Sequence, residues 1–303
     1  MQKGANVAIV VVGSANVDTV IRGDRLPLPG ETVEASDYVE LPGGKGLNQA
    51  VAASRAGADT AFFFATGNDS GGDMLRHFLS SEPLTANGVS ASAATGRAFI
   101  QINAAGENSI MIVGGANTAL TSWPEQDIVD AIEKASYLVL QQEITTELNL
   151  SLAKHAKKAG TPVVLTPAPI EKTDPDLLAL VDILVLNEHE NDLLDRNDLL
   201  SAEAKELKRT RTVIVTQGKQ GAMFFHDGQE HPVVPSPRVT AVDTTGAGDC
   251  FTGYLVATLD GGATLQEAIH TACVAAALSV TLDGAAVSMP TASDVSTFGK
   301  EQP

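Results

Sequence analysis

The run Asp243-Thr244-Thr245-Gly246-Ala247-Gly248-Asp249 brings together what a hydroxyl-activating site needs. Gly246 and Gly248 let the backbone turn tightly and approach a ligand closely. The apolar pattern from Phe251 to Leu259 predicts a buried helix directly after them. The first N–H groups of a helix have no internal partner, and the helix dipole adds partial positive charge there. Such a turn is an anion site for a phosphate or a developing oxyanion, with Gly246, Ala247 and Gly248 as the anion hole. Into it the sequence places a carboxylate, Asp249. A carboxylate repels phosphate, but it suits a base that takes the proton from an attacking hydroxyl. The competing reading is that Asp249 only caps the helix.

A second glycine-rich stretch, Gly43-Gly44-Lys45-Gly46-Leu47-Asn48, reads as a flexible loop opening a helix. Lys45 and Asn48 can donate to the hydroxyls of a polyol while the glycines admit it closely; the alternative is a plain turn. His189-Glu190 suggests H-E-x-x-H, but position 193 is Leu193, which excludes a zincin. Asn187 and Glu190 suit Mg²⁺ held through waters and substrate phosphates, although acids are also favoured at helix starts. The six histidines show no metal spacing. There is no G-x-x-x-x-G-K-[ST], so a P-loop is excluded, and no G-x-G-x-x-G follows the first strand, which weighs against a dinucleotide fold.

The elements that must position these residues follow from the apolar pattern. Residues 7–13 predict a buried strand; Lys3 followed by Val7–Val12 resembles a signal peptide only superficially, because the apolar run is short. Leu26 to Val33 is broken by Pro and Gly, and short strands are expected out to Leu41. A helix is expected over 49–56, a strand over 60–65, a helix over 71–80, and a hairpin from 98–103 and 109–113 around 104–107. From Trp123 onward, helices near 124–134, 146–159, 176–180, 189–194 and 201–208 alternate with strands 137–140, 162–166, 183–186 and 212–216. A β-rich run, Val233 to Val242, then leads into the 243–249 turn. This alternation predicts one α/β unit with a mostly parallel sheet, helices on both faces and right-handed crossovers. Asn16, Asp18, Glu143, Asn187, Glu190, Thr216, Gly218 and Asp243 all follow strand ends, where open α/β sheets form their ligand crevice.

Composition narrows the partners. The 303-residue chain is 44% hydrophobic and carries 20 Lys+Arg against 37 Asp+Glu, a net charge of −17. That balance argues against nucleic acid or an anionic membrane. A phosphate ligand must then be held mainly by backbone dipoles, helix termini and a metal ion. No run approaches the ~18 apolar residues of a membrane span. Cys250 and Cys273 fall in apolar helical patterns and read as small buried hydrophobes suited to a reducing cytoplasm.

Along its whole length the chain resembles the ribokinase group of the PfkB carbohydrate kinase family. Gly43 to Asn48 matches the first signature of that family, Asp243 to Asp249 the second, and Asn187-Glu188-His189-Glu190 its N-x-x-E motif. The resemblance implies a three-layer α/β/α fold with a small β-sheet lid from about 18–42 and 98–113. It implies an ATP-dependent kinase acting on the 5-hydroxyl of D-ribose, with Asp249 as base. Asn16, Asp18, Gly44, Lys45, Asn48 and Glu143 would hold the sugar. Asn187 and Glu190 would organise Mg²⁺ and phosphates, while Asn187, Thr216, Gly218, Gly248 and Cys273 would touch the nucleotide. A loop at 279–288 packed beside the turn would complete a low-charge oxygen cage suited to K⁺. The resemblance maps that ion onto Asp243, Thr245, Ser279, Leu282, Gly284 and Ser288. Two lids pairing as a homodimer would cover bare strand edges. Leu282-Asp283-Gly284 departs from the family, where an Arg often precedes the glycine, as does Cys273, where a histidine is common. Alternative readings are a kinase for 2-deoxyribose, a ketose or a nucleoside, and a catalytically silent sugar-binding module.

Overall fold

In the computed structural model, residues 8–105, 107–119, 125–197 and 200–301 are described. Val7 of the expected first strand and Lys3 before it, Gly106 of the hairpin turn, and Trp123 and Pro124 lie outside these residues, as do the two ends of the expected unit. The strands are β1 (Ile9–Val12), β2 (Asn16–Arg22), β3 (Asp37–Gly43), β4 (Thr60–Gly67), β5 (Thr85–Ala91), β6 (Gly96–Ile102), β7 (Asn108–Val113), β8 (Tyr137–Gln141), β9 (Val163–Thr166), β10 (Ile183–Asn187), β11 (Thr212–Thr216), β12 (Ala222–His226) and β13 (Gln229–Val234). The helices are α1 (Lys45–Arg55), α2 (Ser70–Ser80), α3 (Glu125–Lys134), α4 (Thr146–Ala159), α5 (Pro175–Leu178), α6 (Glu188–Arg196), α7 (Ser201–Thr210), α8 (Ala247–Asp260), α9 (Leu265–Ser279) and α10 (Ala292–Glu301).

The large sheet runs β13-β12-β11-β10-β9-β8-β1-β4-β5. It is parallel from β5 to β11 and turns antiparallel at β12 and β13. Side chains alternate across a strand, and β1 shows it: Ile9 and Val11 enter one core, Val10 and Val12 the other. The first core packs against α1, α2, α8, α9 and α10, the second against α3 to α7. Three layers follow from this, as the alternating pattern predicted. None of the helices among the described residues is long and apolar enough to cross a membrane.

Gly13, Ser14 and Ala15 carry the chain out of β1 and into a second sheet, β3-β2-β6-β7. Asn16 and Asp18 therefore begin the small sheet at the carboxyl edge of the large one. The small sheet has only a thin core of Val20, Ala98 and Ile100, and leaves Tyr38, Val39, Ile110, Met111, Ile112 and Val113 exposed.

Three expectations need correction. Helix α1 starts at Lys45, not Gln49, so Lys45 to Asn48 form its first turn instead of a flexible loop. Gly44 precedes it with φ +94°, and a Cβ there would lie 2.9 Å from the Asn16 amide nitrogen, so only glycine fits. The β-rich run expected over 233–242 is strand only to Val234. Pro235 and Pro237 follow and lack the N–H that a ladder needs. Strand β5 and the hairpin partner β12 were not foreseen.

Helices α1 and α8 touch at Gly253. A Cβ there would meet the Ala52 Cβ at 2.5 Å and both the Ala53 nitrogen and the Gln49 carbonyl oxygen at 2.7 Å. Gly253→Ala is therefore expected to destabilise the protein by about 1–3 kcal/mol, since the neighbouring atoms include rigid backbone. Urea unfolding checks this; an unchanged midpoint would mean that the two helices have room to spare.

Candidate active site

The first turns of α1 and α8 face each other across the carboxyl edge of the large sheet. Gly246 adopts the left-handed conformation (φ +76°) and starts α8, which puts Asp249 in the first helical turn. Its side chain is 6% exposed. Asn48 Nδ2 donates to Asp249 Oδ2 at 3.0 Å, and Gln49 Nε2 donates to Asp249 Oδ1 at 2.9 Å. Asp249 is thus no helix cap: its oxygens are held by the neighbouring helix. Asn48 Oδ1 is buried with no hydrogen-bond partner among the described residues.

Around this pair the expected sugar residues converge. Glu143, just beyond β8, accepts from Ser14 Oγ (2.5 Å) and from the Lys45 amide (3.2 Å) through Oε2. Asn16 Oδ1 accepts from Asn117 Nδ2 at 2.7 Å, and Asn117 Oδ1 takes the Ala15 amide at 3.0 Å. Asp18 lies over Gly43, where a Cβ would approach its Oδ2 to 2.0 Å. Only a glycine at 43 leaves space for that carboxylate.

The electrostatics are those of crowded acids around one amine. Burial, then Glu143 and Asp249, push the Asp18 carboxyl up to about 7, against the pull of Lys45. Burial also raises the Asp249 carboxyl, although Lys45, Asn48 and Gln49 act to lower it. Burial works against the Lys45 ammonium, but Asp249, Glu143, Glu190 and Asp18 together hold its pKa above the usual value.

Next to the acid cleft lies a cavity of about 860 Å³ lined by Thr216, Gly218, Ala247, Gly248, Phe251 and Cys273, among others. A Cβ on Gly218 or on Gly248 would meet no protein atom within 4 Å, so both glycines face open space. The expected nucleotide residues are thus together, except Asn187, which is not in this lining. Lys219 and Arg238 also line the cavity. Neither cation was foreseen from the sequence, whose net charge of −17 pointed away from basic ligand contacts. Of the amides expected to form an anion hole, that of Ala247 donates to the Thr244 carbonyl at 3.3 Å.

Asn187 and Glu190 form a capping box at the start of α6: each side chain accepts the other's amide, at 2.8 and 2.9 Å. The helix-start reading of these residues is therefore satisfied in the fold. Glu190 keeps its second oxygen, and burial raises its pKa despite the Asn187 amide and Lys45. Asp243 likewise caps its own turn, taking the Thr245 amide at 2.9 Å on one oxygen. Its other oxygen takes the Gly284 amide at 3.0 Å, so the 279–288 loop does pack beside the turn. Burial alone would raise Asp243, but the Thr245 and Gly284 donors hold it below the usual carboxylate range. Leu282 turns its side chain largely to solvent, and the Ser279 and Ser288 hydroxyls donate to the Ala276 and Ala285 carbonyls. Any cation beside Asp243 would thus meet a single well-held carboxylate, and no group of three or more His, Cys, Asp or Glu side chains forms a metal cluster among the described residues.

Four polar residues at the site were not foreseen: Ser14, Gln49, Asn117 and Gln141. Gln49 and Gln141 are fully buried. A signal existed, since Gln49 follows Asn48 in a helix otherwise of small apolar residues, and Gln141 precedes Glu143 at a strand exit.

The model of the pfkB family carbohydrate kinases matches residues 7–292. The chain belongs to that family. A ribokinase of Lactococcus lactis is 36% identical over 295 residues, covering 97% of both chains. A deoxyribokinase of Salmonella typhi is 35% identical over 296 residues, covering 93% of this chain and 95% of its own. The solved structure of Arabidopsis thaliana ribokinase complexed with ribose and ATP superposes with a TM-score of 0.83 at 32% identity, covering 96% of this chain and 98% of that one. This carbohydrate kinase therefore has the ribokinase fold, a mostly parallel sheet between helices with a small second sheet, and is a phosphotransferase acting on a hydroxyl group.

The Asp18 shift makes a stability prediction for the free enzyme. An acid whose pKa rises on folding makes the native state bind more protons, so stability falls as pH climbs from the unfolded value of 3.8 to about 7, then levels off. Asp18→Asn removes this slope, roughly 1.4 kcal/mol per pH unit. Urea unfolding from pH 4.5 to 8 should show the variant gaining on the parent up to about pH 7 and no further. A constant difference across the range would mean that Asp18 titrates normally.

Proposed function

We propose that the chain transfers the γ-phosphoryl group of ATP to the 5-hydroxyl of D-ribose. The observation that carries this reading is the placement of Asp249. Its carboxylate is buried against Asn48 and Gln49 in the acid cleft, while the preceding residue, Gly248, lines the large cavity. A hydroxyl held in the cleft and a phosphate held in the cavity would meet at this helix turn. Asn16, Asp18, Gly44, Lys45, Asn48 and Glu143 hold the sugar; the unpaired Asn48 Oδ1 accepts a hydrogen bond from one of its hydroxyls. Asp249 removes the proton of the attacking hydroxyl as the phosphoryl group transfers in line. The amides that open α8 stabilise the charge on the transferring group.

Thr216, Gly218, Gly248 and Cys273 hold the nucleotide, with Lys219 and Arg238 near its phosphates. Mg²⁺ accompanies ATP and neutralises phosphate charge. Asn187 and Glu190 suit it through water: Glu190 has one oxygen free of the capping box and an electrostatic environment that a cation would relieve. The small sheet acts as a lid that excludes water from the cleft. Its exposed Tyr38, Val39, Ile110, Met111, Ile112 and Val113 favour pairing of two lids in a homodimer. Two buried free cysteines suit a reducing cytoplasm.

Relatives named for ribose and for deoxyribose have nearly the same identity to the chain, 36% and 35%, so the sugar is assigned with the help of Asp18. Its carboxylate suits two adjacent hydroxyls better than a deoxy carbon. A steady-state assay over D-ribose, 2-deoxy-D-ribose, ketoses and nucleosides tests this, with ribose expected to give the highest kcat/KM. Asp18→Ala should narrow the lead of ribose over deoxyribose, and Asp249→Asn should lower kcat by roughly 10²–10⁴-fold while sugar binding persists. A higher kcat/KM for a nucleoside, or full turnover by Asp249→Asn, would overturn the assignment.

A monovalent cation, K⁺, is assigned to the junction of the 243–249 turn and the 279–288 loop. Asp243 would supply one carboxylate, and the family resemblance implies oxygens of Thr245, Ser279, Leu282, Gly284 and Ser288 around it; the Thr245 and Gly284 amides already meet its carboxylate. Held there, the ion would stiffen the turn that carries the anion hole. Activity at saturating sugar and MgATP should be higher in K⁺ than in a bulky organic cation at equal ionic strength. Equal rates would reject a functional cation site.

A further inference from the structure

We infer that Gln49 and Gln141 form an amide relay that positions Asp249: Gln141 fixes which end of the Gln49 amide faces the carboxylate, and Gln49 fixes one carboxylate oxygen. The inference rests on the reading of Asp249 as the base. Gln49 Nε2 reaches Asp249 Oδ1 at 2.9 Å and Thr166 Oγ at 3.3 Å, and Gln141 Nε2 reaches Gln49 Oε1 at 2.7 Å. An ionised carboxylate only accepts hydrogen bonds, so it requires the NH₂ end of Gln49. That end is enforced from behind, because the carbonyl end of Gln49 is occupied by the Gln141 NH₂.

Gln141 is the open end of the chain of amides. Asn149 Nδ2 holds its main-chain carbonyl at 2.7 Å, but its Oε1 is buried without a hydrogen-bond partner among the described residues. That oxygen lies over Gly13, where a Cβ would come within 1.9 Å of it, so the space is kept by glycine. If Gln141 turns over, its carbonyl faces Gln49; Gln49 must then turn over and present its own carbonyl to Asp249. A carbonyl there is repelled by a carboxylate but accepts the proton of a neutral carboxyl. The relay thus has two settings that match the two protonation states a general base passes through.

The charged and titratable groups facing Asp249 are Lys45 on α1, Glu143 after β8, Asp18 on β2, Glu190 on α6 and Cys250 on its own helix. Asn48 holds its other oxygen. Gln141 makes no hydrogen bond to any of these, so its influence passes through Gln49.

The test is the pH dependence of kcat for the parent, Gln49→Met, Gln141→Met and the double variant, with Asp249→Asn alongside. Methionine keeps the length and volume and removes the donor. Loss of a donor to the charged form raises the pKa of a base, so Gln49→Met should move the acid limb upward by about one pH unit, with kcat falling more than KM changes. Gln141→Met should move it the same way by less. The double variant should match Gln49→Met alone, because the two act in series. Additive losses, or limbs that stay in place while Asp249→Asn is inactive, would overturn the relay alone. An active Asp249→Asn would instead overturn the base. Should a Met variant fail to fold, the parent still decides the matter. In ¹⁵N spectra the two glutamine NH₂ signals should shift together through the acid limb, and fixed signals would overturn the relay.

Discussion

Everything at this site depends on keeping several carboxylates charged or nearly so around a single ammonium, in a cleft largely removed from water. Asp18, Glu143, Asp249 and Glu190 all act on Lys45, and burial disfavours the ionised forms of Asp18, Asp249 and Glu190. Left to Coulomb's law, such a cluster would take up protons. The fold answers with oriented donors: Asn48 and Gln49 on Asp249, Ser14 and a main-chain amide on Glu143, and the Asn187 amide on Glu190. Hydrogen bonds to an ionised group are the strong ones, so these few donors set which acids can act as bases.

The backbone makes this possible through glycines used for space. Gly43 leaves room for the Asp18 carboxylate, Gly44 lets α1 begin against the exit of β1, and Gly253 lets α1 and α8 close on each other. Gly218 and Gly248 do the opposite and leave the cavity surface bare. The two glycine classes divide the site: close packing on the acid side, open room on the side of the large cavity. Helix starts serve both sides, since the first turn of α1 carries Lys45 and Asn48 and that of α8 carries Asp249.

Much of the architecture was legible in the chain because apolar strands and helices of ordinary length alternate after residue 125. The elements that escaped notice were those whose pattern is local and weak. Strand β5 lies at the edge of the large sheet and alternates between exposed and half-buried positions, with little apolar contrast. The hairpin β12–β13 reads as polar on its outer strand, and the prolines after Val234 ended a run whose composition suggested more strand.

What the sequence alone determined was the kind of chemistry: an acid directly after a glycine-rich turn, and a lysine and an asparagine after another. Those features depend on residue type and short spacing, which a linear chain displays. Only the tertiary structure decided how the acid is held. Asp249 reads equally well as a helix cap until α1 is brought against α8, and Gln49 and Gln141, 92 positions apart, meet only when β8 and α1 pack together. Hydrogen bonds between distant residues leave no local pattern. The base and Asn48 were therefore visible as residue types, while their pairing, and the pairing of Gln49 with Gln141, was not.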